Sequence, residues 1–209
     1  MRSILFWVAA LVVVTLLRPV LRLAIAALAG KQIGAAALAK QPDSIHLQRG
    51  EETSWKNGAA PRQIATTLLT RGFEDAGVYT VAELPGLVVQ LFANASDRVY
   101  AATYEHPKVG QWLEIFSRYQ DGTSATCTTS SAVTLNPRPG HPSTQMPGAQ
   151  PLTVLQKALS SRPQGPLAEV SAARAVDMFE KAYADGVAYR KQVGVSRMEV
   201  VKTAARRAA

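Results

Sequence analysis

The sequence predicts an α+β protein: an N-terminal transmembrane helix, then a two-layer domain with a five-stranded antiparallel meander covered by amphipathic helices. Three observations predict it. Residues 4–17 form an apolar run, residues 77–129 alternate with a period of two between turn signals, and residues 152–187 carry stripes with a period near 3.6. Three parts follow: residues 1–29 as anchor with a basic interfacial flank, 30–60 as linker or interfacial segment, and 61–209 as the soluble domain.

The anchor rests on length and flanks. A bilayer core needs about 20 apolar residues. The first run extends past Arg18, Pro19 and Arg22 through residues 23–29, and arginines near a helix end reach the headgroups by snorkelling. Residues 3–29 are therefore expected in the lipid bilayer, as a single-pass span of the kind found in bacterial-type envelope proteins. The alternative is a cleaved signal peptide ending at Ala27-Leu28-Ala29, against which Arg18 and Arg22 stand between the apolar core and the cut. The flank after the apolar run of residues 4–17 carries Arg18, Arg22, Lys31 and Lys40 against Arg2 before it, which places the domain in the cytoplasm, with a periplasmic placement as the alternative.

Charge narrows the partners. The formal net charge is +8, and the basic residues gather at the two ends, with Arg190, Lys191, Arg197, Lys202, Arg206 and Arg207 near the C-terminus. Basic ends around a mixed middle suit an anionic membrane surface. Nucleic-acid readers interleave basic residues with aromatics, of which these clusters have almost none, so no nucleic acid is expected, while a protein partner is open. Cys127, the one cysteine, excludes an internal disulfide and is expected as a buried structural thiol.

In the domain, Pro61 opens a helix with Ile64, Ala65, Leu68 and Leu69 on one face and Gly72 as its stop. Strands are expected at residues 78–81, 87–92, 99–104, 112–116 and 123–129, all rich in β-branched and aromatic residues. Pro85-Gly86, residues 94–97, His106-Pro107 with Gly110, and Asp121-Gly122 separate them. The last pair is the strongest hairpin signal, expected as a primed turn. Five prolines in residues 136–151 exclude a regular element there. Leu152, Leu155 and Leu159 then form a short helical stripe, and Val176, Phe179, Tyr183 and Val187 a longer one. Ser196 with Glu199 is a capping box for a last helix.

Candidate chemistry is sparse. Glu105 and His106 sit at a strand end, Asp121 in a turn and His141 in the proline-rich loop. If that loop folds over the sheet, the four converge as an acid-base or metal-dependent hydrolase site. No His-x-x-x-His or Glu-x-x-His spacing supports a metal, and turn chemistry alone explains Asp121. Trp112, Glu114 and Arg138 are candidates for ligand binding, because an acid between two aromatics on one strand face can contact a ligand or shift its pKa. Phosphate-binding glycine motifs, a nucleophile elbow and paired Cys-x-x-Cys are missing. No metal or cofactor is expected. The reading is a membrane-anchored, non-enzymatic binding or scaffolding domain, and the alternative is the small hydrolase on Glu105, His106, Asp121 and His141.

Overall fold

The computed structural model describes residues 34–131 and 137–196, with Gln32, Met198 and Val200. The anchor expected at residues 1–29 lies outside them, as does Glu199 of the expected capping box. Among the described residues, no helix is long and apolar enough to cross a membrane. The chain divides into two compact units. The smaller takes Met1–Pro42, Val133–Leu135 and Val187–Ala209; its described part includes helical residues 34–39, and a Cβ on Gly34 would fall 2.6 Å from Val195 Cβ. The larger, Asp43–Ala132 with Asn136–Gly186, holds a sheet and its covering helices.

The sheet has seven strands, in spatial order the same as chain order. They are β1 (Leu47–Arg49), β2 (Glu74–Val81), β3 (Val88–Asn94), β4 (Val99–His106), β5 (Gly110–Arg118), β6 (Ser124–Thr128) and β7 (Ser143–Gln145). Neighbours pair antiparallel up to β6, and β6 pairs β7 in parallel. The expected meander is β2 to β6. The two edge strands were not expected. β1 lies in the segment read as linker, which also carries Ile45 and Trp55, 1% and 8% exposed, into the core. β7 forms inside the proline-rich segment because its prolines flank the pairing residues. Thr126 N donates to Pro142 O and Met146 N to Thr128 O, so the segment bonds to β6 while Pro142 and Pro147 need donate nothing.

Helices cover both faces of the sheet, not one. α1 (Ala59–Leu69) and α2 (Pro151–Ser161) pack on the face bearing Phe92, Val99, Ala101, Leu113, Ile115 and Cys127. α3 (Ala175–Val193), up to Gly186, covers the opposite face, where Val176, Phe179 and Tyr183 meet Tyr79, Leu91, Tyr100 and Tyr104. The reason is in β3 and β4. A strand covered on one side alternates apolar with polar, whereas one buried on both sides reads as a nearly continuous apolar run. Every residue of β3 is buried, and so is every residue of β4 before His106.

α1 ends as the sequence directs: Phe73 N donates to Leu68 O and Gly72 N to Leu69 O, with Gly72 at φ 81°. This is a Schellman stop, and Leu68 and Phe73 bury their side chains together below it. The Asp121-Gly122 turn differs from the primed type. Only Gly122 has positive φ, Gly122 N donates to Tyr119 O, and Tyr119 N donates to Thr123 O. It is a three-residue loop, an ordinary type I turn closed by a left-handed glycine. Asp121 instead binds Thr123 through its carboxylate, which takes it out of the positive-φ role.

Candidate functional site

Strand alternation sends Trp112, Glu114, Phe116 and Arg118 of β5 to the α3 face. The register sets Glu114 beside Thr128, Phe116 beside Thr126 and Arg118 beside Ser124. On this face β6 therefore presents only short hydroxyl side chains. α3 rests on the larger aromatics of β4 and β5, and a gap remains above β6. It is a cleft of about 230 Å³, lined chiefly by Tyr104, Glu114, Phe116, Arg118, Phe179 and Tyr183, with Ser124, Thr126 and Ala182 completing it.

Glu114 is the acid of this cleft. Tyr104 Oη donates to its Oε2 at 3.0 Å, and Thr128 Oγ1 reaches its Oε1 at 3.4 Å. Burial pushes the carboxyl above its usual range, and the hydrogen bonds from Tyr104, Thr128 and Trp112 offset part of that push. Tyr104 is driven well above the usual phenol value, first by burial and then by the Glu114 charge. Its ring stacks on Trp112 with centroids 4.5 Å apart and planes at 8°. Trp112 thus holds Tyr104 in place, and Tyr104 orients Glu114.

At the other end, Arg118 lines the cleft half-buried. Burial lowers its pKa most, Arg138 lowers it further, and Asp185 raises it; a guanidinium stays charged through such shifts. Ser124 Oγ and His141 Nδ1 are 2.8 Å apart. His141 N closes a turn by donating to Arg138 O at 3.0 Å, which brings both residues to this end of the sheet. The His141 imidazole is held below its usual pKa by burial first, then by Arg138 and Arg118.

The four residues of the expected hydrolase site do not meet. Glu105 and His106 end β4 opposite the start of β5, where His106 pairs with Gly110; Asp121 and His141 lie beyond the other end, where Arg118 pairs with Ser124. The length of β5 separates the pairs by roughly 25 Å at about 3.4 Å per residue. Each has a local role instead. Glu105, 9% exposed, accepts from Lys56 N at 2.6 Å, Asn57 N at 3.2 Å and Gln111 Nε2 at 2.9 Å, pinning the approach to α1. His106 Nδ1 accepts from Lys108 N in its own turn. Asp121 is held below the usual carboxyl range by the Thr123 hydroxyl and amide.

Of the three residues read as ligand candidates, Glu114 lines the cleft, Trp112 supports it from behind Tyr104, and Arg138 acts on Arg118 at its rim. Sequence reasoning missed Arg118, Tyr104 and Tyr183. A signal for Arg118 existed: it continues the Trp112, Glu114, Phe116 alternation by one step. Cys127 is buried on the opposite face, and burial raises its thiol, which disfavours the thiolate. Among the described residues, no group of three or more His, Cys, Asp or Glu side chains is placed to hold a metal ion. Comparison with protein-family models, with curated proteins and with solved structures finds no match to this chain.

Proposed function

We propose that this chain is a membrane-tethered, non-enzymatic binding domain that holds a small ligand in the cleft between the sheet and α3. One observation carries the reading. A phenol and a carboxyl, the buried Tyr104 and the half-buried Glu114, are hydrogen-bonded to each other on the wall of an open cleft with aromatic sides. Core packing alone favours apolar side chains at such positions, since a buried acid is costly unless compensated. Small-molecule sites combine apolar walls with a few placed polar groups in this way. The volume of about 230 Å³ exceeds the roughly 150 Å³ known to hold benzene, so a one-ring ligand with a short tail fits.

The tether belongs to the same proposal. Residues 3–29 would sit in the bilayer, and the Lys and Arg excess after the span would keep the binding domain on the cytoplasmic side.

Filling the cleft tests the reading. Ala182 lines it from α3, and Ala182→Phe would occupy the space. Ligands found by thermal shift on the wild-type chain should stabilise it by about 2.7 kcal/mol at a hundredfold excess over Kd. They should lose that effect in Ala182→Phe. Equal stabilisation of both proteins would place binding elsewhere and reject the cleft.

A further inference from the structure

The cleft has two chemically different ends. At one, Tyr104 and Glu114 present a hydroxyl and an acid. At the other, Arg118 and Ser124 face each other across the β5–β6 pair, and both line the cleft. His141 rests on Ser124, and the turn that carries His141 begins at Arg138. One guanidinium and one hydroxyl therefore line this end of the wall, with an imidazole and a second guanidinium close behind them.

The nearby acids have closer partners than Arg118, although Asp185 still attracts it from a distance. Asp185 pairs with Lys181 at 3.5 Å, and Asp121 accepts from the Thr123 amide and hydroxyl at 2.9 and 2.7 Å. Among the described residues, Arg118 has no carboxylate within ion-pair distance. A half-buried cation without an anion in direct contact carries a desolvation cost that the longer-range attraction of Asp185 only partly offsets. An arginine fork matches the planar oxygens of a carboxylate or phosphate.

We infer that the Arg118–Ser124 end is an oxyanion subsite, bordered by His141 and Arg138, which receives the carboxylate or phosphate of a small ring-bearing ligand. The inference rests on the cleft being a ligand site and adds the ligand's charge and orientation. The ring lies between Phe116 and Phe179, and the anion points away from Glu114, whose own charge would repel it. A neutral hydrogen-bonding substituent at the far end of the ligand meets Tyr104 and Glu114.

Ligand-observed NMR titrations of the full chain test this with phenylacetate, phenyl phosphate, phenethyl alcohol and inorganic phosphate. The two ring-bearing anions should bind about tenfold or more tighter than the alcohol, the worth of one charge-assisted hydrogen bond. The tighter of the two names the anion. Inorganic phosphate should compete weakly, lacking the ring. Arg118→Gln should bring the anions down to the affinity of the alcohol measured on the same variant, and Arg118→Lys, which keeps the charge without the fork, should fall between. Equal binding of alcohol and anions to the wild type, or a preference that survives in both Arg118 variants, overturns the subsite. Absence of all binding to the wild type, or binding unchanged in Ala182→Phe, rejects the cleft reading and the subsite with it.

Discussion

The Tyr104 hydroxyl donates to the Glu114 carboxylate at 3.0 Å along the diagonal of the β4–β5 pair. Burial nonetheless lifts the Glu114 pKa above its ordinary 4.5. A group whose folded pKa is raised contributes stability that is fully present below the unfolded value and is lost as pH rises through the folded one. Glu114→Gln keeps the shape and an oxygen for Tyr104 but cannot ionise. The variant should be more stable than wild type at pH 7 to 8, and the difference should shrink to nothing below about pH 4, near the unfolded carboxyl value. Paired urea titrations at both pH values measure it. A difference that does not depend on pH would show that the carboxyl ionises in the fold as freely as in the unfolded chain.

The two helical layers make a second prediction, about where the core is densest. Phe92 is fully buried beneath α1 and α2, whereas Phe179 packs on the α3 face while remaining partly exposed at the cleft. Phe92→Ala should cost about 3 to 5 kcal/mol. Phe179→Ala should cost less, about 1.5 to 3 kcal/mol, the range for burying one large apolar side chain. Chemical denaturation gives both numbers. The reverse order would mean that α3, not the α1–α2 layer, seals the main core.

Much of this architecture was legible because local chemistry and tertiary packing agree in the centre of the chain. Turn residues bound β2 to β6, and Gly72 stops α1 as its left-handed position requires. What was misread needed a partner to make sense. β1 has three residues and β7 three, too short for a periodic signal, and each exists because a longer neighbour supplies its hydrogen bonds. The second helical layer was visible in the unbroken apolar runs of β3 and β4, yet those runs were read as strands of a one-sided sheet. The cleft was half legible: Glu114 between aromatics was seen, but Arg118 becomes significant only when the register places it beside Ser124. The convergence of His106 with His141 failed for a geometric reason, because a nine-residue strand lies between their ends of the sheet.

A β-bulge supplies a third prediction. The β2–β3 register shifts between Asp75 and Gly77, and Gly77 has φ 119°. Around it, Gly77 N donates to Asp75 Oδ1 at 2.7 Å, Gln90 Nε2 to Asp75 Oδ2 at 2.8 Å, and Arg49 Nη1 to Ala76 O at 3.1 Å. A Cβ at Gly77 would fall 2.3 Å from Arg49 Nη1. The arginine tip can swing away, so the backbone sets the cost. Gly77→Ala should lose about 1 to 3 kcal/mol, the penalty of a side chain in a sparsely populated region. Asp75→Asn should lose less, because its amide oxygen still accepts one of the two bonds. Equal losses would assign the bulge to the Asp75 charge and not to the glycine.

The histidines give the last prediction, since two of them are displaced in opposite directions. His46 lies against Glu83, which bonds both its ring and its backbone amide, and these contacts raise the imidazole pKa above 6.5. His141 is lowered below 6.5 by burial, with Arg138 and Arg118 adding to the effect. Proton NMR of the imidazole C–H signals should therefore show His46 titrating above and His141 below the ordinary value. Glu83→Gln should return His46 towards 6.5 and leave His141 where it was; Arg118→Gln should raise His141 and leave His46. The linkage signs differ accordingly. The His46 contact stabilises the fold below pH 6.5 and fades as pH rises through its raised value, whereas the His141 site is most stable above pH 6.5 and weakens as pH falls through its lowered one. If Arg118→Gln left the His141 titration unmoved, Arg118 would not share an electrostatic neighbourhood with that ring, and His141 would not border the positive end of the cleft.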